Sequence, residues 1–313
     1  MADAVRIAVV GAGRMGRVHL DAIERSRDAA AVAVVEPVPA AREAIAAAGL
    51  ATYAMLDELL DAGGFDGVLV AAPSDRHKEI VTALARADLP VLCEKPLGTS
   101  LDDAAETAAA VEQAGTPLQI GYWRRFVPEL VALRERIAAG ELGEITLVAG
   151  HQWDRELPHP SFRASSGGIA VDLGVHEYDQ IRWLLGQEFE TVTAIPAGTS
   201  DVDAGLADPD SAAVLARLSG GTAASITLGR HFGQADSCWF EAFARDGYER
   251  IPFMWGDAGE EAFLTGLTAQ VDAFAGLVRG EPLRGAGAGD AVAALEIAGR
   301  VADALEHSLA GVR

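Results

Sequence analysis

Continuous apolar runs, separated by Ala-rich amphipathic stretches, constrain the fold of residues 5–120 more than any other feature of the chain. Apolar residues that do not alternate with polar ones predict strands buried on both faces, as in a parallel sheet whose strands are joined by helices. Five runs predict strands: VRIAVV, AVAVVE, GVLVAAP, LPVLCE and PLQIGY. The intervening stretches predict helices over residues 14–27, 39–48, 74–87 and 100–114. An α/β fold with a doubly wound parallel sheet follows for this part of the chain.

The pattern changes after residue 122, where strands follow one another without helices between them. Such strands are predicted to pair antiparallel, and Asp246-Gly247 is typical of a hairpin turn. After the stretch EITLVAGHQWD, strands are predicted at FETVTAI, AAVLARLS, TAASITLG and SCWFEAFARDGYERIPF. Helices are predicted over 127–139, 171–185, 259–279 and 289–309, and an exposed loop over 198–210.

The length of the chain supports two domains, because a single hydrophobic core seldom extends over as many as 313 residues. We predict a first domain over residues 1–122 and an α+β domain over residues 123–313. The final helix of the second domain could pack back on the first.

Charge and composition disfavour several classes of partner. A formal charge of -21 and a pI near 4.6 argue against nucleic acid and anionic membranes, since both attract clustered Lys and Arg. No apolar run reaches the roughly 18 residues that a membrane span needs. The first residues run directly into a strand, so we expect no secretion signal. Cys93 and Cys238 lie in apolar strand-like contexts, which predicts buried free thiols and a reducing cytoplasm.

The segment VVGAGRMG places three glycines in G-x-G-x-x-G spacing between the first strand and the first helix. Gly11 suits a tight turn, Gly13 lets a pyrophosphate approach the backbone, and Gly16 lets the helix pack on the strand. Arg14 and Met15 lie in the same loop. We predict a dinucleotide site here, although glycines with this spacing also occur as plain turn residues.

The second strand is predicted to end at Glu36. A carboxylate there can accept hydrogen bonds from the ribose hydroxyls of an adenosine, and it repels a 2'-phosphate. The residues that follow, PVPA, include no Arg or Lys. NAD is therefore predicted rather than NADP, and the alternative is that Glu36 is a solvated strand end.

A further strand runs into AAPSDRHKE, which contains Ala72, Pro73, Ser74 and His77. Ligands of open parallel sheets bind beyond the carboxyl ends of the strands, so these residues are predicted to face the cofactor. His77 could equally be a histidine on the surface of a helix.

Lys95 is one of only two lysines in the chain and lies in LCEKPLG, after another predicted strand. A partly buried lysine near other cations can lose its proton at working pH, whereas arginine cannot. Lys95 is therefore suited to polarise or protonate a substrate oxygen. The bond to Pro96 tolerates cis geometry and could turn the chain sharply. Glu94 is predicted to line the cofactor site with Lys95.

In the second half, GGIAVDLGVHEYDQIRWLLG brings Asp172 and His176 together if one helix includes both. Their i, i+4 spacing places them on one face, with Asp179 a turn further along. A carboxylate beside an imidazole raises its basicity, which suits proton transfer near neutral pH. The alternative is that both residues only decorate the helix. No His or Cys spacing is typical of a metal site, so no metal is predicted.

Taken in order, these motifs resemble those of the Gfo/Idh/MocA oxidoreductases, the glucose-fructose oxidoreductase and inositol 2-dehydrogenase family. The likeness rests on the G-x-G-x-x-G loop, the acidic strand end, AAPSDRH, CEKPLG and DLGVHEYD. It implies an N-terminal Rossmann domain and a C-terminal domain with a large, mostly antiparallel sheet. In this family that sheet often assembles the protein into dimers or tetramers.

The resemblance also implies roles at the reacting carbon. His176 would take the hydroxyl proton, Asp172 would orient His176 and bind substrate, and Lys95 would hold the hydroxyl and relay its proton, while hydride passes to the nicotinamide. The segment GYWRRF resembles one in inositol dehydrogenases, which makes Arg124 a candidate for the pocket floor near cofactor and substrate. The alternative for Arg124 is a surface arginine at a helix start.

We therefore expect an NAD-dependent dehydrogenase that oxidises a secondary hydroxyl of a cyclic polyol or sugar, inositol-like in the first instance. Two alternatives stay open: an NAD(P)H-dependent ketosugar reductase of a biosynthetic pathway, and a cofactor-binding sensor or regulator that lacks catalysis. His151, Trp153 and Arg163 are further candidates for sugar contacts, although packing better explains the tryptophan.

Overall fold

The computed structural model describes residues 4–198, 208–256 and 258–310. The chain forms two compact units, each with its own six-stranded sheet. The first unit comprises Met1–Trp123 and Leu264–Val292, and the second comprises Arg124–Phe263 and Ala293–Arg313. Most of the loop predicted over 198–210 lies outside the described residues.

The sheet of the first unit is parallel throughout. Its strands are β1 (Val5–Val10), β2 (Ala29–Val35), β3 (Ala51–Tyr53), β4 (Gly67–Val70), β5 (Val91–Cys93) and β6 (Leu118–Ile120). They lie in the order β3-β2-β1-β4-β5-β6, so the winding reverses between β1 and β4. Ile7, Val9 and Leu69 on the central strands are fully buried, as continuous apolar strands require. The predicted doubly wound α/β fold is confirmed.

Five helices connect these strands. They are α1 (Arg14–Arg25), α2 (Pro39–Ala47), α3 (Leu56–Ala62), α4 (His77–Arg86) and α5 (Leu101–Ala114). Ser100 caps α5 by accepting a hydrogen bond from the N–H of Asp103, and Gly115 ends the helix in the left-handed conformation. No element was predicted at β3 or α3, because a strand of 3 residues and a helix of 7 residues are too short to show a clear period.

The sheet of the second unit is mostly antiparallel, as predicted. Its strands are β7 (Ile145–Trp153), β8 (Phe189–Ala197), β9 (Ser211–Leu218), β10 (Ala223–Gly229), β11 (Ser237–Ala244) and β12 (Tyr248–Met254). Their order is β12-β11-β7-β10-β9-β8. The turn at Asp246-Gly247 joins β11 to β12 as a hairpin. The prediction missed that β7 inserts between β10 and β11 and runs parallel to β10, since pattern alone does not give strand order.

The two faces of this second sheet differ. Helices of the second unit include α6 (Pro128–Ala138), α7 (Pro160–Ser165), α8 (Ile169–Asp172) and α9 (Gly174–Leu185). α9 packs on β7, where the carboxylate of Glu177 fills the space over Gly150. The strand register places four large apolar side chains on the opposite face of the sheet, where they are exposed. They are Ile195, Leu215, Phe243 and Tyr248.

Two long helices follow, α10 (Ala258–Val278) and α11 (Ala288–Ala310). Residues 264–292 belong to the first unit although they follow the second sheet in sequence. Within the first unit α10 packs on β4, where Gly67 leaves room for Phe274 and Val278. No helix among the described residues is long and apolar enough to cross a membrane.

Candidate active site

The glycine loop after β1 has three glycines with three different surroundings. Gly11 has a φ of +98°, and a Cβ there would lie 2.7 Å from the backbone oxygen of Ala71. A Cβ on Gly16 would overlap the carbonyl oxygen of Gly11. A Cβ on Gly13 would meet no atom within 4 Å, and Gly13 precedes α1 without any side-chain cap. The loop therefore combines tight packing with open space at a positive helix end, which fits a pyrophosphate.

These surroundings predict opposite effects for two alanine substitutions. Gly13→Ala is expected to leave thermal stability unchanged and to weaken NADH binding about 10- to 100-fold, the equivalent of one lost hydrogen bond to a charged group. Gly16→Ala is expected to destabilise the protein by about 1–3 kcal/mol through overpacking. NADH fluorescence titration and thermal unfolding distinguish the two. Equal behaviour of the variants would contradict the assignment of the open space to the ligand.

Glu36 follows β2 and is buried rather than solvated, so the solvated alternative is wrong. Its Oε2 accepts a hydrogen bond from the N–H of Ala12 at 2.9 Å, and its Oε1 accepts one from Val38 at 2.9 Å. The carboxylate therefore lies against the glycine loop. Nη1 of Arg42 donates to the backbone oxygen of Glu36 at 2.7 Å, so a cation does lie near this strand end, beyond the segment PVPA. Ribose binding by Glu36 stays a prediction.

His77 begins α4, next to the turn that contains Pro73 and Ser74. Its side chain is buried, so the alternative of a helix-surface histidine is wrong. Nδ1 lies 2.7 Å from the backbone oxygen of Pro96, and Nε2 lies 2.9 Å from that of Ala72. Burial lowers the pKa of His77. The ring therefore bridges two backbone turns at the carboxyl edge of the sheet, and any contact of His77 with the cofactor stays a prediction.

Lys95 follows β5 at the same edge and is half-buried. Its peptide bond to Pro96 is cis. The neighbouring Glu94 is buried: Oε1 lies 2.6 Å from Nε2 of His19, and Oε2 accepts a hydrogen bond from the N–H of Lys95 at 3.1 Å. Burial alone would raise the pKa of Glu94, but the hydrogen bond from His19 and nearby positive charges hold that pKa below its ordinary value. An ionised carboxylate thus lies directly beside the backbone of Lys95.

The second lysine of the chain has different surroundings. Lys78 lies on α4, where Nζ contacts carboxylate oxygens of Asp103 at 2.9 Å and Glu106 at 2.5 Å. These hydrogen bonds raise the pKa of Lys78. Its contacts link α4 to α5, which makes Lys78 an internal control for experiments on Lys95.

Asp172 and His176 lie at the junction of two helices. The predicted single helix over 171–185 is divided at Leu173, so Asp172 ends α8 and His176 lies in the first turn of α9. The prediction of one unbroken helix is wrong here. The break coincides with Gly174, a weak helix former whose backbone packs closely against a tyrosine ring. The proposed roles of Asp172 and His176 stay predictions.

A charge cluster around Asp172 was not predicted from the sequence. Nη2 of Arg230, whose side chain is fully buried, lies 3.7 Å from Oδ2 of Asp172 and 3.1 Å from Oδ2 of Asp208. Oδ1 of Asp208 accepts a hydrogen bond from the N–H of Ile169 at 2.8 Å. The cluster thereby holds both ends of α8. The sequence feature that could have identified Arg230 is its position directly after the apolar strand TAASITLG.

Arg124 is buried within the second unit, so the surface alternative is wrong. Nη1 contacts Oε1 of Glu177 at 2.5 Å and Oε1 of Gln180 at 2.9 Å, while Nη2 donates to Oε1 of Gln152 at 2.8 Å. These contacts join α9, which carries His176, to β7. Contact of Arg124 with cofactor or substrate stays a prediction.

Asp179, predicted to continue the face of Asp172 and His176, has a separate partner. Its Oδ1 and Oδ2 accept hydrogen bonds from Nη2 and Nε of Arg125 at 2.6 Å and 3.0 Å. This bidentate ion pair with Arg125 gives Asp179 a structural role.

The three candidate sugar contacts have protein partners as well. Arg163 lies 3.1 Å from Oδ1 of Asp210, His151 stacks on Trp239 at 4.2 Å, and Nε1 of Trp153 donates to a threonine hydroxyl. Their sugar contacts stay predictions.

The two cysteines are structural rather than reactive. Cys93 and Cys238 are free and buried, as predicted. Burial raises the pKa of Cys93 and raises the pKa of Cys238 to about 12, so neither thiol ionises near neutral pH. Across residues 4–198, 208–256 and 258–310, no three His, Cys, Asp or Glu side chains group so as to hold a metal ion.

Family models match most of the chain. One, described as an oxidoreductase family with an NAD-binding Rossmann fold, matches residues 5–122, and another, described as the GFO/IDH/MocA C-terminal domain, matches residues 130–248.

Individual relatives span much of the same length. The rhizopine catabolism protein MocA of Rhizobium meliloti is 44% identical over 304 residues, covering 97% of this chain and 96% of that protein. Inositol 2-dehydrogenase of Rhizobium meliloti (strain 1021) is 35% identical over 227 residues, covering 72% of this chain and 69% of that protein. The crystal structure of GenD2 from gentamicin A biosynthesis, in complex with NAD, has a TM-score of 0.87 at 25% identity and covers 100% of this chain and 96% of that chain. The prediction of NAD as cofactor is confirmed.

Proposed function

Because the chain belongs to the Gfo/Idh/MocA oxidoreductase family, we propose that it is an NAD-dependent dehydrogenase that oxidises a secondary hydroxyl of a cyclic polyol or sugar. The observation that supports this most is the place of Lys95, half-buried at the carboxyl edge of the NAD-binding sheet, with its backbone N–H held by Glu94. Similarity to an inositol 2-dehydrogenase makes an inositol-like ring the first substrate to test.

We assign roles in the reaction to three residues. His176 takes the proton of the substrate hydroxyl, and Asp172 orients His176 and binds the substrate. Lys95 holds the hydroxyl oxygen and relays its proton. Bound NAD would supply the acceptor for the hydride that leaves the carbon bearing this hydroxyl. Proton transfer by positioned groups of this kind contributes about 10²- to 10⁴-fold to a rate.

A second set of residues would hold the cofactor, and Lys95 belongs to both sets. The first turn of α1 binds the pyrophosphate through backbone N–H groups, and Glu36 binds the adenosine ribose. The turns after β4 and β5 line the nicotinamide half. The set comprises Gly11, Gly13, Arg14, Met15, Gly16, Glu36, Ala72, Pro73, Ser74, His77, Glu94, Lys95 and Arg124.

A spectrophotometric screen at 340 nm tests the function, with inositols, aldoses and sugar acids offered with NAD and with NADP. We expect reduction of NAD by at least one cyclic polyol or sugar, with NADP the poorer cofactor. Nucleotide-linked ketosugars are offered with NADH and NADPH in parallel, and activity on these alone would replace the proposal with a ketosugar reductase. NADH binding without turnover of any compound would replace it with a sensor or regulator.

We further propose a homodimer or homotetramer built on the exposed face of the second sheet. Apolar side chains such as Leu215, 60% exposed, and Ile195, 59% exposed, support it, since exposed apolar patches on sheets mark interaction sites.

The buried free cysteines support a cytoplasmic location.

Leu215→Glu is expected to convert the assembly to monomers, because a charge would be buried in the proposed interface. Light scattering after size exclusion measures the mass. Met55→Glu is the matched control, since Met55 in the first unit is 61% exposed and should tolerate the charge. A monomeric parent, or an unchanged mass for Leu215→Glu, would contradict assembly through this face.

A further inference from the structure

A buried hydrogen bond connects the cofactor-binding helix to the segment that carries Lys95. His19 lies on α1 and is fully buried, and its Nε2 is 2.6 Å from Oε1 of Glu94. Glu94 directly follows β5. Nδ1 of His19 has no hydrogen-bond partner within the described part of the chain, so the contact to Glu94 is the polar function of this ring.

Glu94 is held on its other sides as well. Its Oε2 accepts the hydrogen bond from the backbone N–H of Lys95 at 3.1 Å. A Cβ on Gly121 would lie 3.0 Å from the same carboxylate, so Gly121 is the residue that leaves room for it. One rotamer of Glu94 therefore satisfies His19 and Lys95 together.

The backbone after Lys95 is fixed from the opposite side. Nδ1 of His77 lies 2.7 Å from the backbone oxygen of Pro96. The segment of three residues is thus clamped at Glu94 by His19 and at Pro96 by His77. Two buried histidines therefore hold the two ends of the segment whose central residue is Lys95.

A need for stability alone does not explain this arrangement. Burying a carboxylate costs several kcal/mol before its partners compensate, and apolar residues of similar volume often stabilise a core as well or better. A buried charge retained beside a candidate catalytic lysine instead points to a role in placing that lysine.

We propose that His19 and Glu94 are positioning residues for Lys95: the His19-Glu94 hydrogen bond fixes the Lys95 backbone relative to the helix that binds the pyrophosphate. This inference rests on the proposed function, in which Lys95 holds the substrate hydroxyl. Misplacing a catalytic group by about 1 Å can cost about 10²-fold in rate. The pair therefore acts through Lys95 and not through contact with the substrate.

Two substitutions of His19 separate position from packing. In His19→Gln the side-chain amide nitrogen reaches the place of Nε2 and can still donate to Glu94. In His19→Asn the shorter side chain brings its amide nitrogen only to the place of Nδ1. We expect His19→Gln to keep kcat within about 3-fold and His19→Asn to lower kcat about 10- to 100-fold, with the Kd for NADH unchanged in both.

A control accounts for lost stability. Thr116 is buried in the same unit, and its Oγ1 donates to the backbone oxygen of Ala85 at 3.2 Å, outside the Glu94–Pro96 segment. Thr116→Val also removes one buried hydrogen bond, and we expect it to lower the thermal midpoint as His19→Asn does without lowering kcat.

A second readout does not depend on turnover. Lys95 and Lys78 are the only lysines of the chain, so amine labelling followed by mass spectrometry compares them within one sample. We expect His19→Asn to raise the labelling rate of Lys95 relative to Lys78 at least about 3-fold, because a half-buried side chain on a loosened segment becomes more accessible. His19→Gln should keep the parent ratio.

The outcomes distinguish the two proposals. If the labelling ratio changes in His19→Asn but the parent turns over no substrate, the positioning role is sustained and the proposed dehydrogenase function is overturned. An unchanged ratio in His19→Asn, or equal kcat values for the Gln and Asn variants, would overturn the positioning role whatever the parent catalyses.

Discussion

Lys95→Ala is expected to lower kcat on the best polyol substrate about 10²- to 10⁴-fold, the usual contribution of a positioned proton-transfer group. That loss corresponds to about 3–5 kcal/mol of activation free energy. Lys95→Arg should be nearly as slow, because a guanidinium does not release its proton at working pH. The Kd for NADH should change little in both variants, since Lys95 only lines the nicotinamide half and the glycine loop and Glu36 would supply most of the cofactor contacts.

Lys78→Ala is the control for this loss. Lys78 is 39% exposed in its side chain and its ion pairs within the described residues are with carboxylates of α5, so kcat should match that of the parent. Equal turnover by Lys95→Ala and the parent would remove Lys95 from the chemistry. A loss of NADH binding in Lys95→Ala with kcat unchanged at saturating cofactor would instead limit Lys95 to holding the cofactor.

Arg124→Met is expected to destabilise the protein by about 3–5 kcal/mol, the cost of leaving a buried charge without its partner. The side chains of Arg124 and Glu177 are 3% and 0% exposed; Arg124 contacts Oε1 of Glu177, and Oε2 has no hydrogen-bond partner among the described residues. Because Glu177 lies next to His176 on α9, we also expect kcat to fall. Denaturant unfolding followed by circular dichroism measures the stability.

The double variant Arg124→Met/Glu177→Gln should recover most of that stability, since it no longer buries an unpaired carboxylate. Arg136→Met is the surface control: Arg136 pairs with Glu249 and Glu141 in water, and its loss should have little effect. A single variant as stable as the parent, or a double variant no better than the single one, would contradict the role of this buried pair.

The first sheet could be predicted because its strands are buried on both faces, so each reads as an unbroken apolar run, as in Gly67–Val70. The hairpin at Asp246-Gly247 could be predicted because turn chemistry is local. The position of β7 and the return of residues 264–292 to the first unit depend on packing between distant segments. No local pattern encodes such packing.

Some residues of the candidate site could be identified from the sequence, and others only from the fold. The glycine loop and Lys95 could be identified through residue type, since few other residues could serve there. His19 and Glu94 lie 75 residues apart, and only the fold brings them together. Arg124 could be found by resemblance, but its burial against Glu177 could not.

The proposed function requires Lys95 and His176 to act on one substrate oxygen, and a crystal structure with NADH and the best substrate shows whether they do. We expect Nζ of Lys95 and a ring nitrogen of His176 each within about 3 Å of the same hydroxyl oxygen, with the carbon that bears it facing the nicotinamide. A complex in which the substrate contacts only one of the two groups, or in which either points away from the nicotinamide, would contradict the claim.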